Sequence, residues 1–262
     1  MSGRGQPPQR VGRRTKALEV AFIDVGGTLW PNSWPIRQAD GQGRRERIAA
    51  AMAGHDAVVI ESLIEDLLRS SRPGDEARTI TTESVMVVDA VELINGCLAR
   101  QGLQSDDQTV SRLRRAMAIP VHDAFQPLTG AVELLRTIRE LGLRTVITSN
   151  TYWRDAGSYW DDFRILGMAE YIDAIVTSVD AGHLKPHPAV FEMAMRWASV
   201  PADHCVVIGN REENDIEPAL ALGMQTILVY PDDPKPTSSR AHAVAPDLWA
   251  CARALRDMLG YA

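Results

Sequence analysis

Five short apolar runs punctuate the chain: Leu18–Asp24, Arg144–Ser149, Ala174–Ser178, Cys205–Gly209 and Gln225–Tyr230. They are rich in β-favouring residues and apolar at successive positions, the pattern of strands buried on both faces. The first stops at Gly26-Gly27, a pair that breaks regular structure. Between the later runs, Ala131–Leu141, Ala189–Trp197 and Ala219–Leu222 carry apolar residues at helical spacing, and Gly223 stands where the last of them should end. A further amphipathic stretch, Asp247–Leu259, begins just after Pro246. Strands alternating with helices predict an α/β fold, a doubly wound parallel sheet covered on both faces.

Residues 31–126 break this rhythm. They are rich in Ala, Leu, Arg and Glu, with helical spacing at Ile60, Leu63 and Leu67 and again at Val87, Val91, Ile94 and Leu98. Pro73-Gly74 and Gly102 mark turns between helices. The segment is predicted to be a small all-helical domain inserted after the first strand, so that residues 18–30 and 127–262 together form the α/β core. Residues 1–17 hold five basic residues and no acid, in a polar, Pro/Gly-containing context that predicts a disordered basic leader.

The formal net charge of −6 therefore understates how acidic the body of the chain is. A phosphate backbone would repel such a body, so nucleic acid is not expected as a partner. No apolar run approaches the roughly 20 residues that span a bilayer, and the N-terminus lacks an apolar signal core. No membrane partner is expected, and a cytoplasmic location is. Cys97, Cys205 and Cys251 are widely spaced, with no Cys-x-x-Cys pair, which argues against a disulfide framework or zinc cluster. Lysine occurs only at positions 16, 185 and 235, against 25 arginines, so the placement of Lys185 in a strand-end loop carries weight.

In open parallel sheets ligands bind past the carboxyl ends of the strands. Those positions form a set: Asp24-Val25-Gly26-Gly27-Thr28, Ser149-Asn150, Lys185-Pro186, and Gly209-Asn210 with Asp215. Their order and spacing resemble the four signature loops of the haloacid dehalogenase superfamily, and the helical insert resembles that family's small cap domain. The resemblance extends through Gly167, Tyr171, Ile172, Asp173, Ser178, Gly182, Pro188, Phe191, Gly223 and Met224. It implies a Rossmann-like core and covalent hydrolysis, in which a carboxylate attacks phosphorus or carbon and water then cleaves the ester. Asp24 matches the nucleophile. Thr28 and Ser149 supply hydroxyls for the transferring group, and Lys185 supplies fixed positive charge. Asn150 is a candidate for binding the substrate, which the resemblance implies is a small anionic molecule.

Two departures from the family pattern matter. The second Asp, which usually serves as general acid and base, is replaced by Gly26, and a carboxylate that usually ligates magnesium is replaced by Asn210. Magnesium then has Asp24, the Gly26 carbonyl, the Asn210 amide oxygen and Asp215, a weakened set. General acid–base help is worth about 10²–10⁴-fold, so substrates whose leaving group needs no proton should suffer least. The five-residue step from Asn210 to Asp215 is the phosphatase spacing, and a phosphate-type substrate is expected. Metal-independent dehalogenation and a catalytically lapsed binding protein are the alternatives. A Schiff-base mechanism on a cap lysine is excluded, since residues 31–126 contain no lysine. Trp30, Trp34 and Arg37, just after the first loop, and Tyr152, Trp153 and Arg154, just after the second, either line the substrate pocket or pack the hinge. Glu212 or Glu213 is a candidate to replace the missing carboxylate, and His183 and His187 flank the lysine loop.

Overall fold

The computed structural model describes residues 18–31, 41–71, 90–121, 126–231 and 233–261. Val20–Ile23 (β1) is buried at every position, and its side chains divide by the twofold alternation of a strand. Val20 and Phe22 join one apolar cluster with Phe191 and Val207, while Ala21 and Ile23 join a second with Leu134 and Ile138. A strand apolar on both faces can only sit inside a sheet. β1 pairs in parallel with Arg144–Ser149 (β2) on one side and Cys205–Gly209 (β4) on the other.

The sheet extends from β2 to Ala174–Thr177 (β3) and from β4 through Gln225–Val229 (β5) to Ala243–Ala245 (β6), all parallel, in the order β3-β2-β1-β4-β5-β6. β1 to β5 match the five predicted runs. β6 was not foreseen: its three residues are too few to show a pattern, and Val244 is 45% exposed.

Ten helices are described. Gly41–Ala51 (α1), Ala57–Ser70 (α2), Ala90–Arg100 (α3) and Asp107–Met117 (α4) lie between β1 and β2 in sequence. The others are Ala131–Glu140 (α5), Ala156–Ile165 (α6), Ser178–Ala181 (α7), Ala189–Ala198 (α8), Glu217–Ala221 (α9) and Leu248–Met258 (α10). α5, α6 and α10 bury Leu134, Phe163 and Leu255 in the cluster on one face of the sheet; α8 buries Val190 and Ala194 on the other. α10 starts where Asp247 accepts a hydrogen bond from the Ala250 N–H at 2.6 Å, an N-cap that fixes the predicted boundary.

α1 to α4 form their own apolar cluster around Ile48, Leu63, Leu67, Ile94 and Leu113. The predicted stripes contribute Leu63, Leu67, Ile94 and Leu98, whereas Val91 is 40% exposed and off the stripe. Gly102 ends α3 with φ +67°. The basic leader, Pro73-Gly74 and Val87 lie outside the described residues. Among the described residues no helix is long and apolar enough to cross a membrane.

Candidate active site

The loop after β1 is a tight coil. Asp24 still belongs to the sheet, its N–H donating to Ile208 O at 2.9 Å, so its side chain leaves the strand end in a fixed direction. The N–H groups of Thr28, Leu29 and Trp30 then converge on Val25 O, and Gly27 N–H donates to Trp30 O at 2.7 Å. This coil turns Thr28 back on the strand end, where its hydroxyl donates to Asp24 Oδ2 at 3.2 Å. Gly26 leaves open space: a Cβ added there would meet nothing within 4 Å.

Lys185 comes from the loop between α7 and α8 and is 1% exposed. Its ammonium donates to Asp24 Oδ1 at 2.8 Å, Thr148 O at 2.9 Å and Asp215 Oδ1 at 2.5 Å, which uses all three of its hydrogens. It therefore has no spare N–H, and what it brings to this strand end is its charge and its hold on Asp24. Burial pulls its pKa down, but the charges of Asp215 and Asp24 outweigh that and hold it above the ordinary lysine value. Asp215 is equally buried, and burial pushes its carboxyl above the usual range; Lys185 opposes the shift and the Asp24 charge adds to it.

Asn150, partly exposed, contacts the Lys185 backbone. Its Nδ2 donates to Lys185 O at 2.8 Å and its Oδ1 accepts from Lys185 N–H at 2.7 Å. The amide thus clamps the lysine loop to the end of β2. Ser178 makes a parallel tie, exchanging two 2.8 Å bonds with the Thr151 backbone.

Ser149 is buried, and its Oγ lies 3.0 Å from the Tyr159 hydroxyl. Tyr159 comes from α6, a helix the apolar pattern did not single out, and burial raises its pKa. Trp30, 3% exposed, stacks on Tyr159 at 5.7 Å and packs on Phe163 at 5.1 Å. Its indole is thus part of the apolar floor, and the pocket-lining expectation gives way to packing. Trp153 packs against the apolar cluster of α1–α4. Arg154 pairs with Asp162 at 2.6 Å and also donates to Ile119 O, while Arg114 of α4 pairs with Asp155. Trp34 and Arg37 lie outside the described residues.

Two glycines allow the fourth loop to close on the site. A Cβ at Gly209 would lie 2.4 Å from Asp215 Cγ, and one at Gly27, where φ is +81°, would lie 2.2 Å from Asn210 Nδ2. After Asn210 the chain makes one wide helical turn, Glu212–Ile216, that brings Asp215 back to Arg211 N–H, whose bond to Asp215 Oδ2 is 3.0 Å. Both Asp215 oxygens are therefore hydrogen-bonded, one to the lysine and one to the backbone. Its described contacts make it the partner of Lys185. Asn210 Nδ2 donates to Asp233 Oδ2 at 2.8 Å, and its Oδ1 is buried without a hydrogen-bond partner. Asp233, past the end of β5, carried no motif and was not anticipated.

Glu212 is held elsewhere, accepting from Ser239 Oγ and Arg240 N–H at 2.7 Å each, and Glu213 is exposed. His183 and His187 stack on each other at 4.0 Å. Among the described residues no group of three or more His, Cys, Asp or Glu side chains is arranged to hold a metal ion. Magnesium nonetheless prefers hard oxygens, and the orphaned Asn210 Oδ1 is such a donor close to the loop after Asp24. Together with the Asp24 carboxylate and the Gly26 carbonyl, it makes a donor set that fits the ion with a single carboxylate.

A family model described as haloacid dehalogenase-like hydrolase matches residues 18–223. Haloacid dehalogenase-like hydrolase domain-containing protein 3 of Xenopus laevis is 34% identical over 105 residues, 40% of this chain and 41% of that protein. The matched stretch thus spans under half the length of that relative. Glyceraldehyde 3-phosphate phosphatase of Methanopyrus kandleri is 28% identical over 217 residues, covering 81% of this chain and 84% of that one. Among solved structures, a 2-haloacid dehalogenase from Pseudomonas syringae superposes with a TM-score of 0.59 at 21% identity, covering 92% of this chain and 99% of that one. The Bacillus subtilis protein YfnB, solved bound to magnesium, gives a TM-score of 0.54 at 18% identity, covering 93% and 99%.

Proposed function

This chain belongs to the haloacid dehalogenase-like hydrolase family, and we propose that it hydrolyses a small anionic phosphate-type substrate through an aspartyl intermediate on Asp24. One observation carries the reading: a buried carboxylate at a strand end, with one oxygen on a fully engaged lysine ammonium and the other on a threonine hydroxyl. Asp24 Oδ2, held only by the 3.2 Å contact from Thr28, is the less committed oxygen and forms the bond to phosphorus as the leaving oxygen departs. Water then attacks the phosphorus, the bond to Asp24 breaks, and inorganic phosphate leaves. The Lys185 ammonium holds Asp24 Oδ1, and its charge offsets negative charge gathering at the transferring group. Asp24, the Gly26 carbonyl and Asn210 would hold magnesium, which supplies further positive charge when bound.

No residue at position 26 can protonate a departing alkoxide. Acyl phosphates and other esters with stable leaving groups are therefore the better substrates. The phosphatase named above, aligned over most of both chains, supports a phosphate ester of a small metabolite. A second reading, hydrolysis of a carbon–halogen bond without metal, draws on the same two features, the neutral Asn210 and the absent acid, because halide leaves without a proton.

One assay decides among them. Purified protein and Asp24→Asn are offered phosphate esters, acyl phosphates and 2-haloacids, with magnesium and with chelator. The expected result is release of phosphate, fastest from acyl phosphates and reduced at least 10³-fold by the substitution. Halide release that survives chelator would move the assignment to dehalogenation. Turnover of no substrate by an Asp24-dependent route would leave the chain a binding protein.

A further inference from the structure

An asparagine amide has a donating end and an accepting end of nearly the same shape, and its neighbours decide which way it faces. At Asn210 the decision belongs to Asp233. A carboxylate oxygen accepts, and the 2.8 Å contact to Asp233 Oδ2 places Nδ2 on that side. Oδ1 is thereby turned the other way, where it is buried and accepts no hydrogen bond. The amide is lodged against Gly27 in the loop after Asp24, at a distance that any β-carbon there would forbid. β4 and β5 pair in register up to Gly209 and Leu228, so the topology carries the chain after β5 alongside Asn210 and brings Asp233 within reach.

We infer that Asp233 is a positioning residue for a divalent cation: it holds the Asn210 amide with its oxygen presented as an uncommitted ligand, and it returns a negative charge to a loop that has none at position 210. The inference rests on the reading that a cation joins Asp24 in this site, but not on the covalent chemistry of Asp24. A carboxylate hydrogen-bonded to an amide N–H also draws electron density toward the amide oxygen, making it a better donor. Outer partners of this kind are worth about 10–100-fold in metal affinity.

The test is isothermal titration calorimetry of the full chain with magnesium chloride, for the native protein, Asp233→Asn, Asp233→Ala and the exchanged pair Asn210→Asp/Asp233→Asn. Asp233→Asn keeps an accepting oxygen but not the charge, and should weaken magnesium binding about tenfold. Asp233→Ala frees the amide as well and should weaken it more, toward 100-fold. The exchanged pair keeps the hydrogen bond in the opposite sense and places a carboxylate on the ion, so it should bind at least as tightly as the native protein. Native protein that takes up no magnesium would overturn the inference. So would single variants that bind like it, or an exchanged pair no tighter than Asp233→Asn. Circular dichroism verifies folding, and if Asp233→Ala fails to fold the two isosteric variants carry the result. Asp24-dependent turnover alongside unchanged magnesium binding in the variants would sink this inference alone.

Discussion

The open space at Gly26 makes the missing acid restorable. Its backbone is not left-handed and a Cβ meets no neighbour, so Gly26→Asp should fold without strain. An acid two residues after the nucleophile can protonate a leaving alkoxide, an effect worth about 10²–10⁴-fold. The variant should therefore gain at least tenfold in kcat/KM on an alkyl phosphate and little on an acyl phosphate, whose leaving group needs no proton. Equal change on both substrates would count against the assignment of position 26. The charge triad gives a second test. Lys185→Met leaves Asp24 and Asp215 buried side by side, and losing one partner of a buried pair costs about 3–5 kcal/mol. It also removes the largest influence that lowers the Asp215 pKa, leaving the Arg211 N–H bond alone to oppose burial and Asp24, which raise it. A carboxyl whose folded pKa lies above its unfolded value of about 3.9 binds its proton more tightly in the folded state. Stability then falls as pH rises through that window and recovers on acidification. Urea unfolding should show the variant's deficit shrinking from pH 7.5 to pH 5; a deficit that stays constant would refute the coupling. Asp24, Gly26, Lys185 and Asn210 could be singled out as candidates from the sequence because each sits in a loop that follows a strand. Asp233 and Tyr159 were not, because nothing local marks them: their contacts are made across 23 and 10 residues of chain.

At the scale of elements, the lysine loop is placed by the strand beside it. Asn150, immediately past β2, makes two bonds to the Lys185 backbone. Replacing both costs about 1–2 kcal/mol at ordinary net values for hydrogen bonds. Because the residue acts through Lys185, Asn150→Ala should lower kcat more than it raises KM, and Asn150→Asp, which keeps the accepting oxygen for Lys185 N–H, should fall between. A rise in KM with kcat unchanged would return Asn150 to the substrate-binding role. The strands themselves were readable because burial on both faces leaves uninterrupted Val and Ile runs in β1 through β5. β6 escaped because a half-exposed edge strand of three residues has no such run, and α6 escaped because its buried residues, Tyr159 and Phe163, are too few to draw a stripe.

At the scale of the whole molecule, the helices between β1 and β2 have an apolar cluster separate from the two that sandwich the sheet. Among the described residues, the contacts past β2 that join them to the core include Trp153 against their cluster, Arg114 on Asp155, Arg115 on Asp161, and Arg154 on Ile119 O. Arg154 also lies 5.9 Å from the centre of the Tyr159 ring, whose hydroxyl meets Ser149. The same side chain therefore spans from the hinge after α4 to the edge of the site. If these helices form a cap whose position is set by that contact, Arg154→Ala should loosen the hinge without unfolding the sheet. Hydrogen exchange should then accelerate in residues 107–121 and leave β1 and β4 protected, since local opening has its own free energy below that of global unfolding. Turnover should fall with it, as Ser149 loses the support of a fixed Tyr159. Exchange that quickens equally in β1 would mean Arg154 contributes only to overall stability; exchange unchanged everywhere would mean that Trp153 and the Arg114–Asp155 pair hold the helices in place without it.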